Sequence, residues 1–165
     1  MSTEINFIVH DDPAIRPRRP RLAMIDLAPF EFEGQMEEVW LRTAGSGEYE
    51  LCCLPFRVYG LALGDLVGLD EAGKMVRSLI KPAGHRLFRA FVKEPLSDPA
   101  AMAARERIVA AVAESKLVSE WSGDRHVAIH VPLGEFPAGP LGTAIHESHD
   151  IVVSEWADVE PFRTA

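Results

Sequence analysis

The chain has 165 residues, 47% hydrophobic and 25% charged, the proportions of one ordinary soluble domain. Seventeen Lys and Arg against twenty-five Asp and Glu give a formal charge of −8, which argues against a nucleic-acid binder acting by non-specific phosphate neutralisation. No apolar run approaches the roughly 18 residues that span a bilayer, and the first residues lack the pattern of a secretory signal, so neither membrane insertion nor secretion is expected.

Residues 1–35 read as an extended N-terminal arm. Prolines at 13, 17 and 20 remove backbone donors around Arg16, Arg18, Arg19 and Arg21, which points to a solvated, flexible leader. Residues 30–34 alternate apolar and acidic side chains, as an edge strand or docked peptide does. Residues 37–42 and 48–54 form two strands joined by the glycine-rich turn 43–47, and Pro55 ends the second. A turn leads into a strand over 61–69, Asp70 to Gly73 turn again, and 74–80 form a further strand. The expectation for 36–84 is a small antiparallel β-sheet or partial barrel.

The remainder alternates differently. Residues 86–92 read as a strand, and Asp98 caps a helix whose first position is Pro99. A hairpin follows over 117–131, turning at Ser122 to Asp124; a short helix starts at Pro140, and a last strand covers 151–156. The order β-α-β-β-α-β is that of the ferredoxin-like fold, expected over 85–156 with a C-terminal tail at 157–165. The fold class is therefore α+β. Residues 94–165 hold five basic and twelve acidic residues, so nearly all the negative charge lies there.

Cys52 and Cys53 are adjacent and cannot readily bridge one another, and no Cys-x-x-Cys pair exists. A reduced, cytoplasmic setting with at least one cysteine buried in a strand is expected. In the strand 125–131, Val127, Ile129 and Val131 belong against the helices, while His126 and His130 project from the opposite face. That open face suits a ligand, the first subregion, or a second copy of the chain. His146 and His149 share a helical face at i,i+3 and make a weak candidate metal pair. Their string His-Glu-Ser-His is one residue short of the zincin spacing, and no cofactor is expected. No nucleophile elbow, P-loop or dinucleotide fingerprint is present. Asp65 after Gly64 reads as a turn acid or a functional one, and His85 after Gly84 as a hinge residue or a general base.

Glu38-Val39-Trp40-Leu41, Tyr49, Leu54-Pro55-Phe56, Tyr59-Gly60, Leu63-Gly64-Asp65-Leu66-Val67 and Gly84-His85 together make a recognisable pattern. Over residues 36–156 it resembles the uncharacterised bacterial family of domain of unknown function 4265. The resemblance implies an α+β fold and a bacterial, cytosolic setting, and carries no catalytic residues. Two functions follow as expectations. One is a non-enzymatic module that binds a protein partner or itself through the open sheet face, without nucleic acid or membrane. The other is a small-molecule binder or enzyme with its site between the subregions. Tyr59, Asp65, His85, His126 and His130 are its candidate residues, with His85 or His130 as base.

Overall fold

The computed structural model describes residues 4–132 and 139–164. Among these residues, ten strands form two sheets, accompanied by two α-helices. The first sheet uses β1 (Asn6–Ile8), β2 (Arg21–Asp26), β3 (Gln35–Gly45), β4 (Glu48–Leu51), β5 (Leu66–Leu69) and β6 (Val76–Lys81). Its order is β1-β3-β4-β5-β6, with β2 on β3 as well. All neighbours are antiparallel except β1, which runs parallel to β3. The sheet curls until Met24 of β2 makes a single parallel bridge with Met75, but it does not close into a barrel.

The second sheet has the order β10-β7-β9-β8, from β7 (Arg86–Val92), β8 (Ser119–Ser122), β9 (His126–Val131) and β10 (Val152–Trp156), all antiparallel. With α1 (Pro99–Glu114) after β7 and α2 (Pro140–Glu147) after β9, this is the ferredoxin-like arrangement. Asp98 caps α1 by accepting from the Ala100 amide, and Pro99 occupies the first turn, where its missing donor costs nothing. Phe88, Ala90, Val127, Ile129 and Val131 pack against Ala104, Ile108 and Leu141 of the helices, the division of faces that period-2 alternation requires.

Three expectations change. Residues 4–35, the described part of the expected arm over 1–35, are not free: β1 and β2 both pair with β3, and His10 is almost fully buried. The proline-rich stretch between them is extended but pinned, since Ile15 donates to the Cys52 carbonyl and Ala14 to the Glu120 carboxylate. Residues 30–34 are no strand. Antiparallel pairing of β2 with β3 needs a reversal there, made by a 3-10 turn, Ala28–Phe30, and by Glu31 with φ at 71°. The second sheet's other face is not open either. Leu54, Phe56, Ala62 and Leu63 of the first subregion cover its Leu87 and Ala128. The first subregion, one of the three occupants expected for that face, thus takes this part of it, while Phe91 and Val153 at its far end stay 37% and 51% exposed.

The junction between the sheets is polar at its centre. The His10 ring lies between Glu37 of β3, with Nε2 to Oε1 at 2.8 Å, and Glu120 of β8, with Nδ1 to Oε1 at 2.7 Å. It stacks on Phe56 at 4.3 Å. Glu37 also accepts the amides of Phe56, Arg57 and Val58, and Glu120 those of Ala14 and Leu54. Burial opposes a charge on His10, but the neighbouring Cys53 sulfur and the Glu120 and Glu37 carboxylates outweigh it and push its pKa up to about 12. Burial likewise opposes ionisation of Glu37, yet the His10 bond and charge and the amide donors hold its pKa below the usual carboxylate value. The cluster is an imidazolium between carboxylates, the state in which both ring nitrogens donate.

Removing one member of a buried charge cluster leaves its partners unpaired. His10→Ala is expected to lose about 3–5 kcal/mol of stability by that mechanism, read from the midpoint of urea unfolding. A loss under about 1 kcal/mol, the size of a surface ion pair, would show that the cluster does not hold the sheets together.

Candidate functional site

Where the first sheet hands over to the second, residues 82–86, the 60–65 loop and the C-terminal tail enclose a cleft of about 620 Å³. Asp65 sets its walls. Its Oδ1 accepts the Ala83 amide and its Oδ2 the Ala62 amide, both at 2.8 Å, so one buried carboxylate ties two loops together. Burial raises its pKa, partly offset by those two bonds. Asp65 thus has the turn role, with both oxygens engaged.

The tail closes the other side. Ala157 accepts the Gly60 amide and donates to the Leu87 carbonyl, and Phe162 stacks on Phe30 of the first core. Gly60 has φ of +82°, and a Cβ there would lie 2.6 Å from the Pro161 carbonyl carbon, so no larger residue fits beneath the tail. Arg86 donates to Asp158 at 3.0 Å and lies over the Trp156 ring at 4.0 Å. Asp158 also accepts the Leu87 amide.

His85 lines this cleft, and its ring centroid stands 4.7 Å from that of His130. The Nδ1 atoms of both rings are buried and have no hydrogen-bond partner among the described residues. Burial, with the His85 charge second, lowers the His130 pKa and favours its neutral form. Neutral imidazole presents one donor and one acceptor, so His130, which stands against His85 but outside the lining of the cleft, keeps an unpaired nitrogen beside it. Arg77 and Ser78 of β6 add a cation and a hydroxyl at the rim.

The other expected site residues lie elsewhere. Tyr59 donates its hydroxyl to Glu155 at 2.7 Å and lies under the Arg89 guanidinium at 4.5 Å. His126 is at the far end of β9, between Phe56 and Phe91, in a separate hollow of about 220 Å³. Burial first, then the charges of Arg89 and Arg57, lowers its pKa to about 4. His146 and His149 are at the end of α2, where His149 contacts the His146 carbonyl and Asp150. Among the described residues, no group of three or more His, Cys, Asp or Glu is placed to hold a metal ion. Cys52 and Cys53 are both fully buried, and burial pushes Cys52 up to about 11 and Cys53 up as well.

Pattern reading missed the charged residues under the site: His10, Glu37, Glu120 and Arg89. Arg89, 1% exposed, binds Glu155 and the carbonyls of Pro55 and Val58. A signal existed. Glu37 shares the inward row of Val39 and Leu41, and Arg89 interrupts an apolar strand.

These observations define an α+β protein in which a curled mixed sheet is docked on a ferredoxin-like half. The family profile described as Domain of unknown function (DUF4265) matches residues 37–136, and the chain belongs to that family. A solved structure described as "Novel crystal structure of a hypothetical protein from Neisseria gonorrhoeae" is similar in fold, with a TM-score of 0.58 at 17% identity. That likeness covers 87% of this chain and 96% of the other. No curated protein matches the chain significantly. No helix among the described residues is long and apolar enough to cross a membrane.

The buried histidines set the pH response of stability with opposite signs. His126, depressed to about 4, contributes stability above pH 6.5 that is lost as pH falls from 6.5 towards 4. His10, raised to about 12, contributes fully below pH 6.5 and loses that contribution as pH rises towards 12. Unfolding free energy is therefore expected to peak near pH 6.5 and fall on both sides, measured by urea titration at each pH. His126→Phe, which keeps the aromatic contacts, should make the limb between pH 6.5 and 4 shallower, the lowered pKa of His130 supplying part of what remains; an unchanged limb would refute the assignment.

Proposed function

We propose that this protein binds a small polar molecule in the cleft between its two sheets. The observation that carries this reading is a cleft of ligand size lined by His85 and backed by His130, the Nδ1 atoms of both rings being buried without a partner among the described residues. Among the lining residues, the groups left to meet a ligand are the His85 imidazole, the Arg77 guanidinium and the Ser78 and Thr164 hydroxyls, with the Glu160 carboxylate paired to Arg163. They suit a compound with one anionic group and a neighbouring hydroxyl or amine that donates to imidazole. Asp65 and Asp158 are engaged by the chain itself, which favours binding over acid–base catalysis. The buried thiols support a cytoplasmic setting.

The experiment is a titration with a panel of small hydroxy and amino acids, following the imidazole signals of His85 and His130 by NMR. Saturable shifts of both rings, with affinity reduced at least tenfold in Arg77→Ala, are expected. Rings that do not move with any member, or that move equally in Arg77→Ala, would overturn the reading.

A second reading, self-association, is favoured by one feature. β1 is a free edge of the first sheet, and Ile5, Phe7 and Val9 along it are about half exposed. A second copy pairing antiparallel along β1 would cover that row. Phe7→Lys should then convert a dimer to a monomer in sedimentation; a wild-type monomer at high concentration would dismiss the reading.

A further inference from the structure

The arginines at the start of the chain lie far from any role in the cleft. Pro17, Arg18, Arg19, Arg42 and Thr43 line a separate surface depression of about 690 Å³. Its lining residues include three arginines and one threonine and no acidic residue, with the Glu50 carboxylate bound to Arg42 beside it. On a chain of net charge −8 this is a local field of the opposite sign, the condition under which an anion is drawn to one place rather than to the whole surface.

The arginines are also held in place. Ile15 is bonded to Cys52, Ala14 to Glu120, and β2 begins at Arg21, so residues 16–20 are tethered at both ends. Pro17 and Pro20 restrict the backbone between those tethers. The guanidinium of Arg16, next to Pro17, lies over Trp40 at 5.2 Å. Arg42 is oriented by Glu50, which accepts from Nε at 2.6 Å and from one terminal nitrogen at 2.9 Å and leaves the second terminal nitrogen for another acceptor. Arg18 and Arg19 have no ion pair among the described residues.

We infer that this depression is a phosphate site, taking the phosphate monoester of a small molecule. Arg42 with Glu50 shows that one guanidinium suffices for one carboxylate. The two unpaired guanidiniums of Arg18 and Arg19, the remaining terminal nitrogen of Arg42 and the Thr43 hydroxyl match a group with more than one charge and at least three acceptor oxygens, which is phosphate. Ordering loss on binding is small because the prolines and tethers have already fixed the arm.

The test titrates the full chain with inorganic phosphate, with glycerol 3-phosphate and with acetate at constant ionic strength, following Arg side-chain and Thr43 amide signals by NMR. Saturable binding of glycerol 3-phosphate, at least tenfold weaker in Arg18→Ala/Arg19→Ala, is expected. Both substitutions are on the exposed arm, so circular dichroism should be unchanged. Tighter binding of inorganic phosphate than of the ester would overturn the monoester assignment in favour of the free ion. A weak response shared by acetate, or one unchanged in the double variant, would overturn the site.

Discussion

A protonated histidine held between two buried carboxylates is the contact on which the rest of this molecule depends. His10, Glu37 and Glu120 come from the N-terminal segment, the first sheet and the second sheet, and each is at least 96% buried. Charges in such a place are tolerable only when every donor and acceptor is met. Here the unused lone pairs of the carboxylates take amides of the connecting segment, at Leu54, Phe56, Arg57 and Val58. The same atoms that neutralise the imidazolium therefore fix the backbone lying between the two sheets. Apolar packing of Leu54, Phe56 and Leu63 on Leu87 and Ala128 surrounds this centre and keeps water from it.

A second buried cation repeats the principle. Arg89 projects from the middle of β7 into the junction, where two carbonyls of the connector and the Glu155 carboxylate receive it. Tyr59 lies against its face and shares Glu155. Six charged or polar side chains thus join the halves at two points, and hydrophobic contact alone would not specify their relative orientation. The cleft with His85 and His130 is what remains where this docking stops and the C-terminal tail returns over Gly60. Its shape follows from the docking, and so do the two imidazole nitrogens left without protein partners.

Much of the fold was legible in sequence because local rules are strong there. Strand alternation placed Val127, Ile129 and Val131 on the helix side and His126 and His130 opposite, and Asp98-Pro99 marked a helix start that the structure has at the same residue. The N-terminal strands were illegible. β1 is three residues long, and its pairing partner lies some 29 positions away, so no short-range pattern announces it. Asp65 and His85 were singled out and do meet at one cleft, whereas Tyr59 and His126 belong to other contacts. His146 and His149, close to His130 in sequence, are on the opposite side of the second sheet from it.

By itself, then, the sequence determined the α+β class, the ferredoxin-like order of the second half and the inward rows of its strands, since turn residues, caps and period-2 patterns are properties of neighbouring positions. Only the tertiary structure decided that residues 4–35 are part of the fold, that the first subregion packs on the face opposite the helices, and which histidines meet. Those outcomes rest on a buried charge cluster whose members are separated by up to 110 positions. No local pattern encodes the cancellation of one buried charge by another that distant, and folding alone brings them within 3 Å.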